Sequence, residues 1–292
     1  MKIHKLFICL LIAFSFLMIT ACGGGGGDST GSGEVTMSIA DAKPLLPEGA
    51  ENITNLWVKF TDVLVHKSGG GWNSLPLTEY PYTVDLIKLV DGVTMEIVPP
   101  VELEYGKYTQ IRLVIESATI RFDTDPATEF PVEIPSGHLK TDKNFTFDPQ
   151  DPADIIIDFD LSQSLVVTDP FGIPSYKLKP VLHIVKASEV ATITGAITDQ
   201  SFINFGTTAA NITVLTNGEV YTEVAVDRDE SNDVDFTLFW LEPNQDYTVE
   251  IDMDPNNNPG TDKEIDVPWA NFVDGEADLG LINISNPNPP SF

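Results

Sequence analysis

Residues 56–65 read LWVKFTDVLV, and this segment is the clearest indicator of the fold. Apolar side chains recur at every second position in its first half, and β-branched and aromatic residues dominate throughout. That combination is typical of a β-strand with one face in a core. The next glycines, Gly69-Gly70-Gly71, predict a turn that leads into Trp72. The segment therefore predicts a long strand followed by a second one.

The same period-two pattern recurs along the chain, interrupted by Gly, Pro, Asn and Asp. Further predicted strands lie at 35–39, 108–115, 121–122, 130–134, 155–161, 176–185, 192–199, 210–215, 219–226, 235–241 and 247–251. Asn217-Gly218 predicts a tight hairpin, and a loop is predicted through Gly206. No segment of ten or more residues has a helical period, although 86–90 could form one turn. We predict an all-β chain with two antiparallel β-sandwich domains.

The N-terminus carries a different signal, which concerns location. Lys2 and Lys5 precede an apolar run at 6–19, and small residues then lead to Cys22. This is the pattern of a bacterial lipoprotein signal peptide. The alternative is an uncleaved membrane anchor, but about 14 apolar residues span only roughly 21 Å of a ~30 Å bilayer core. We therefore predict cleavage before Cys22 and lipidation of its sulfur. Since Gly23 follows, sorting to the outer membrane of a Gram-negative bacterium is expected, facing the periplasm or the cell surface.

These signals divide the chain into five predicted parts. They are a signal peptide at 1–21, a lipidated cysteine with a Gly/Ser tether at 22–33, a β-rich domain at 34–187, a second β-sandwich at 190–285 and a disordered tail at 286–292.

The charge excludes one large class of partners. The chain has 44 acidic and 16 basic residues, a net charge of −28. Nucleic acids require clustered Lys and Arg, so no nucleic-acid partner is expected. The two cysteines are Cys9, inside the predicted signal peptide, and Cys22. Disulfide, thiol or cysteine–zinc chemistry in the domains is therefore not expected.

Six ordered motifs in the first domain carry a family resemblance. They are 38–42 (SIADA), 63–66 (VLVH) with Trp72, 84–86 (VDL), 106–113 (GKYTQIRL), 135–137 (PSG) and 178–181 (LKPV). The segment from about 34 to 186 resembles the bacterial envelope family named domain of unknown function 4382. The resemblance implies a β-rich lipoprotein module and no particular chemistry. The acidic stretch at 148–154 departs from the family pattern and is expected to change one loop.

The second domain is similar to the carboxypeptidase-regulatory, transthyretin-like sandwiches. The residues that carry this likeness lie at 193–197 (ITGAI), 235–238 (DFTL) and 241–249 (LEPNQDYTV). The usual glycine before the middle strand is absent, because Val234-Asp235 stands there. The resemblance implies a spacer domain, and some members of such groups bind starch-like glycans.

Two acidic loops are candidate calcium sites, because Ca²⁺ prefers several carboxylate and carbonyl oxygens. The candidate ligands are Asp227, Asp229, Ser231, Asp233, Asp235, Asp252 and Asp254. An EF-hand is not expected, since Asn232 stands where that loop needs glycine and Leu238 where it needs glutamate. Ordinary solvated turns are the alternative interpretation, and we favour it. Apart from calcium, no cofactor is expected.

Catalytic motifs are weak. The segment 27–31 (GDSTG) matches a nucleophile elbow, but it lacks the strand and helix that the motif requires. The histidines at 66, 138 and 183 have no metal-binding spacing. Trp72 and Trp269 lie near predicted turns and are the better candidates for exposed, sugar-stacking aromatics. We therefore expect a non-enzymatic envelope lipoprotein for binding, adhesion or scaffolding, with an unknown protein or glycan partner. A carbohydrate-binding accessory lipoprotein is the alternative, and a calcium-stabilised surface protein or a hydrolase comes third.

Overall fold

The computed structural model describes residues 31–41, 44–50, 52–141, 145–148, 153–168, 174–179, 181–228, 232–255 and 259–286. Described residues are predominantly in strands, which confirms the predicted all-β class. The predicted signal peptide, Cys22, all but the last residue of the GDSTG segment and all but the first residue of the predicted tail lie outside these ranges. Among the described residues, no helix has the length and apolarity needed to cross a bilayer.

Thirteen strands occur within the described residues up to Lys186. They are β1 (Ser32–Ala40), β2 (Ile53–Lys67), β3 (Trp72–Leu75), β4 (Tyr82–Asp85), β5 (Thr94–Glu104), β6 (Gly106–Phe122), β7 (Asp125–Glu133), β8 (His138–Thr141), β9 (Phe145–Phe147), β10 (Ala153–Phe159), β11 (Leu165–Thr168), β12 (Ser175–Leu178) and β13 (Leu182–Lys186). A short helix, α1 (Leu161–Ser164), precedes β11, and a 3-10 turn at Leu86–Lys88 matches the single turn predicted there.

These strands form two sheets around one core. The smaller sheet has the order β13-β10-β1-β5, and the nine-stranded sheet has the order β11-β12-β7-β6-β2-β3, with β4 on β2 and with β8 and β9 on β6. Buried side chains from both sheets pack into a single cluster, which includes Met37, Ile157, Phe60 and Leu113. We call this body the N-terminal unit.

Residues 56–65 form most of β2, a long strand in the interior of the larger sheet. Val58 and Phe60 point into the core, and then the phase changes so that Val63 and Val65 do. The ladder between β2 and β6 shifts register between Phe60 and Asp62, as a β-bulge does. One irregularity therefore keeps both halves of a 15-residue strand on the same core.

Nine further helices, turns and strands follow from Ala191 within the described residues. They are β14 (Ala191–Ile197), α2 (Asp199–Phe205), β15 (Ala209–Thr216), β16 (Glu219–Asp227), β17 (Val234–Leu241), β18 (Tyr247–Asp252), β19 (Lys263–Val267), a 3-10 turn at Trp269–Asn271 and β20 (Glu276–Ile282), together with the C-terminal segment that ends at Asn286. A three-stranded sheet, β17-β14-β20, faces a four-stranded sheet, β16-β15-β18-β19, across a second core. We call this body the C-terminal unit.

The hairpin predicted at Asn217-Gly218 joins β15 to β16. Both residues have positive φ, 53° and 78°. Two successive positive φ values are what a type I′ turn requires, and Asn-Gly is the sequence that adopts them at least cost.

Several sequence expectations need correction at the level of elements. The sheets are mixed, because β1–β10, β7–β12 and β14–β20 pair in parallel. The predicted loop through Gly206 contains α2, which Thr198 caps by accepting from Ser201 N at 3.2 Å and which ends at Gly206 in the left-handed region. At seven residues, that helix is too short to reveal a helical period. The predicted strand at 176–185 is divided between β12 and β13, in different sheets.

The two units are joined by packed side chains. Three consecutive isoleucines of β10, at 155–157, are buried, because Ile155 and Ile157 face the N-terminal core while Ile156 faces the other unit. Ile156 packs in a cluster with Ala40, Val185 and Trp240. A strand that is apolar on both faces is the pattern of a sheet covered on both sides. Here the C-terminal unit supplies the second cover.

Candidate functional site

One exposed aromatic group stands out on the outer face of the nine-stranded sheet. Trp72 begins β3 and lies opposite His66 of β2, while Arg112 of β6 lies opposite Leu64, two residues before His66 on the same face of β2. His66 and Trp72 lie at the adjoining ends of β2 and β3, and Arg112 lies within β6, the next strand of the sheet. All three side chains are on the face away from the core. We call Trp72, His66 and Arg112 the Trp72 cluster.

The ring of Trp72 is held from two directions. The guanidinium carbon of Arg112 lies 4.1 Å from the ring centroid, a cation–π contact, and the His66 ring meets Trp72 edge-on with centroids 5.1 Å apart. His66 is itself fixed, because its Nδ1 lies 2.8 Å from Thr109 Oγ1. Trp72 nevertheless remains 37% exposed. The cluster thus presents a large aromatic surface that needs no rearrangement to be exposed.

Arg112 has no carboxylate partner among the described residues. Its Nε is buried and makes no hydrogen bond there. A second arginine provides the contrast. The guanidinium carbon of Arg121 lies 4.5 Å from the centroid of the Trp57 ring, but Arg121 also forms an ion pair with Glu129 at 2.9 Å. A guanidinium without a carboxylate partner in the described part of the chain is unusual at a net charge of −28. The Trp72 cluster therefore combines an aromatic surface with a local positive charge.

Trp269 occupies a different environment. Its ring stacks on Phe272 with centroids 4.7 Å apart, and it packs against the C-terminal core. Its backbone N–H donates to Asp246 Oδ1 at 2.7 Å, and the residue borders a shallow depression beside Pro243 and Asn244. Trp269 is half-buried, so it offers less surface than Trp72 does. The two tryptophans belong to separate units.

The candidate calcium residues have structural roles where they are described. Asp252 accepts hydrogen bonds from two backbone N–H groups of its own loop, at 2.9 Å each, from Asp254 and Gly260. Asp233 Oδ1 accepts from Asp199 N at the start of α2, at 2.8 Å. Asp227 ends β16 and Asp235 lies in β17, and both residues line a second surface depression.

No group of three His, Cys, Asp or Glu side chains close enough to share a metal ion occurs within the described ranges. Asp229 and Ser231 lie outside those ranges. Calcium binding at these loops stays a prediction that the structure does not test.

A buried acidic group lies between the two units, and no pattern in the sequence indicates it. Asp158 of β10 is almost fully buried, and burial, followed by the nearby charge of Asp160, raises the pKa of its carboxyl group well above the ordinary value. Asp158 pairs across the sheet with His183 of β13. The His183 ring stacks on the ring of Tyr221 in the C-terminal unit, with centroids 4.1 Å apart. Burial, with Asp158 as the next cause, also raises the pKa of Tyr221.

Hydrogen bonds tie the units together around this group. His183 Nε2 and Gln163 Nε2 both donate to the carbonyl of Tyr221, at 3.0 and 3.1 Å. Ser162 Oγ donates to the carbonyl of Glu223 at 3.3 Å. Only an arrangement of strands from distant parts of the chain brings these groups together, which is why sequence periodicity does not indicate them.

The fold and the site define an all-β protein of two packed sandwiches that displays an aromatic–cationic cluster. The chain belongs to the family described as "Domain of unknown function (DUF4382)", which matches residues 32–180. His66, Trp72 and Arg112 come from two of the motifs that carry this resemblance. No curated protein matches the chain.

Comparison with solved structures gives distant likenesses. The Bacillus anthracis TIE protein is 12% identical with a TM-score of 0.23, and the match covers 87% of this chain but only 35% of that protein. The fimbrial anchor protein from Porphyromonas gingivalis is 10% identical (TM-score 0.23), with 86% and 90% of the two chains covered. A bacterial adhesin from Mobiluncus mulieris is 11% identical (TM-score 0.23), with 87% and 98% covered. TM-scores this low do not establish a shared fold.

Proposed function

We propose that the protein is a non-enzymatic binding module of the bacterial cell envelope, acting in adhesion or scaffolding. The observation that supports this proposal is the Trp72 cluster, an exposed aromatic surface held rigid by its neighbours. Pre-ordered side chains lose little entropy when a ligand binds, which favours recognition. The packed interface between the two units adds a stiff body on which such a surface can be displayed.

The location is proposed from the sequence of the N-terminus. Cleavage before Cys22 and lipidation of its sulfur would hold the module at a membrane, because each buried CH₂ contributes about 0.8 kcal/mol. Sorting to the outer membrane is proposed from Gly23. Mass spectrometry of the purified protein tests this directly: a mature N-terminus other than Cys22, or a Cys22 without fatty acid, refutes the anchor.

Carbohydrate binding is the second candidate, and the exposure of Trp72 favours it. Aromatic rings offer a flat apolar surface with a polar surround, which suits the apolar face of a sugar ring. A glycan array probed with the full chain tests this candidate, beside Trp72→Ala and Trp269→Ala variants. Bound glycans that disappear in Trp72→Ala support it, whereas an array without any bound glycan refutes it. Because Trp269 is half-buried, its substitution is expected to weaken binding less.

A further inference from the structure

The Trp72 cluster carries the positive charge of Arg112, which the binding of a neutral sugar does not require. We propose that this cluster binds an acidic glycan through a sugar that carries a carboxylate, such as a uronic acid. The inference rests on the carbohydrate-binding candidate above and specifies its ligand class.

The first step of the argument is the state of Arg112. A guanidinium has five N–H donors, and stacking on Trp72 occupies its face rather than these donors, which lie in its plane. Nε is buried and makes no hydrogen bond with a described group, so a ligand would have to use the donors of the terminal nitrogens. No described carboxylate neutralises the group. Arg121, which stacks in the same way on Trp57, has its charge balanced by Glu129.

The second step concerns the shape of the anion. A planar guanidinium matches a planar carboxylate in a bidentate arrangement, and such charge-assisted bonds are about twice as strong as neutral ones. With the carboxylate on Arg112, the attached sugar ring lies beside the indole of Trp72. Two neighbouring side chains therefore recognise two parts of one acidic sugar.

The third step is the charge of the whole chain. A net charge of −28 repels densely charged polymers such as sulfated glycans. Screening over roughly 8 Å at physiological ionic strength leaves short-range contacts intact. A glycan with sparse carboxylates can therefore use Arg112 without bringing many negative charges near the surface. This argument favours a uronate over a sulfated sugar.

The ligand pair that tests the inference differs in one charge. Isothermal titration calorimetry would use the full chain in detergent micelles with a disaccharide that contains one glucuronic acid, and with the methyl ester of the same disaccharide. We expect the free acid to bind about 10- to 100-fold more tightly than the ester, because the ester cannot form the charge-assisted pair. A third ligand, a disaccharide of the same size bearing sulfate, distinguishes the carboxylate from other anions.

Three variants extend the test. Arg112→Gln should reduce binding of the acid to the level of the ester, and Trp72→Ala should abolish binding of both. Arg121→Gln is the matched control, since it removes a stacked arginine from the same sheet face and should leave the acid-to-ester ratio unchanged. Melting curves of each variant identify any loss of folding.

The outcomes separate the two proposals. Equal affinities for acid and ester, or binding of the acid that survives Arg112→Gln in a folded protein, overturn the inference while leaving carbohydrate binding in place. Preference for the sulfated sugar overturns the carboxylate assignment. No binding of any of the three sugars overturns the inference, and only an empty glycan array also overturns the carbohydrate-binding candidate.

Discussion

Replacing Asp158 by asparagine tests the energetics of the contact between the two units. The side chain is 2% exposed, and its Oδ1 makes no hydrogen bond with any described group. Asparagine has nearly the same size but cannot ionise. The substitution therefore removes the titration of the group while keeping the packing against Tyr221 and its neighbours.

The direction of the effect follows from the raised pKa of Asp158. In the unfolded chain the carboxyl has its ordinary pKa of 3.8, whereas burial raises the native pKa well above this value. Between the two pKa values the native state binds more protons than the unfolded state does. The free energy of unfolding therefore falls as pH rises, by up to about 1.4 kcal/mol per pH unit. The contribution is fully present below pH 3.8 and is lost as the pH passes the native pKa.

The assay is urea unfolding of wild type and Asp158→Asn at a series of pH values, monitored by tryptophan fluorescence. Trp240 lies in the interface, so its fluorescence should report separation of the two units. The variant should gain stability over wild type as pH rises, by up to about 1.4 kcal/mol per unit. Asp160→Ala serves as the contrast. Because the Asp160 carboxylate caps α1, its loss should cost about 1 kcal/mol. Parallel stability curves for wild type and Asp158→Asn would refute the reasoning.

Three further changes test the C-terminal unit. Gly195→Ala would place a Cβ 2.7 Å from the ring of Phe236, so we expect a loss of roughly 1–3 kcal/mol in urea unfolding; an unchanged midpoint would show that the ring has room to move. Gly218→Ala places a side chain on a turn residue with φ of 78° and should lower the free energy of unfolding by about 1 kcal/mol. Gly71→Ala, where the added Cβ meets open space, is the control and should lower it less. Asp252→Ala removes the acceptor of two backbone N–H groups and should cost about 1–3 kcal/mol whether calcium or a chelator is present; a calcium-dependent rise in the melting temperature of wild type that the variant lacks would instead establish a metal site.

The predictable part of the fold is the part encoded locally. Alternation of apolar residues was sufficient for β2, and the Asn217-Gly218 pair was sufficient for the hairpin between β15 and β16. Pairing partners were not predictable, because parallel pairs such as β1–β10 join residues more than a hundred positions apart. The seven residues of α2 were missed, although Thr198 and Gly206 are ordinary helix-terminating signals.

The same limit applies to the site. Trp72 was identified from its place after a glycine turn, and its exposure agrees with that prediction. Arg112 could not be joined to it from the sequence, since their proximity depends on the register of three strands. The buried Asp158 likewise has its environment defined by a unit that begins about thirty residues later. Local patterns indicate which side chains are available, and only the pairing of strands decides which of them meet.

The position of β1 has a mechanical consequence. This strand is the first element in the described residues. It pairs with β5 from Ser32 to Ala40 on one side and with β10 from Val35 to Ala40 on the other. A pull on the N-terminus acts along the strand, so the bonds of both ladders resist it together by shear instead of opening one after another like a zipper. If the protein is held at its N-terminus while a bound ligand pulls on it, β1 should be the last part of the structure to separate.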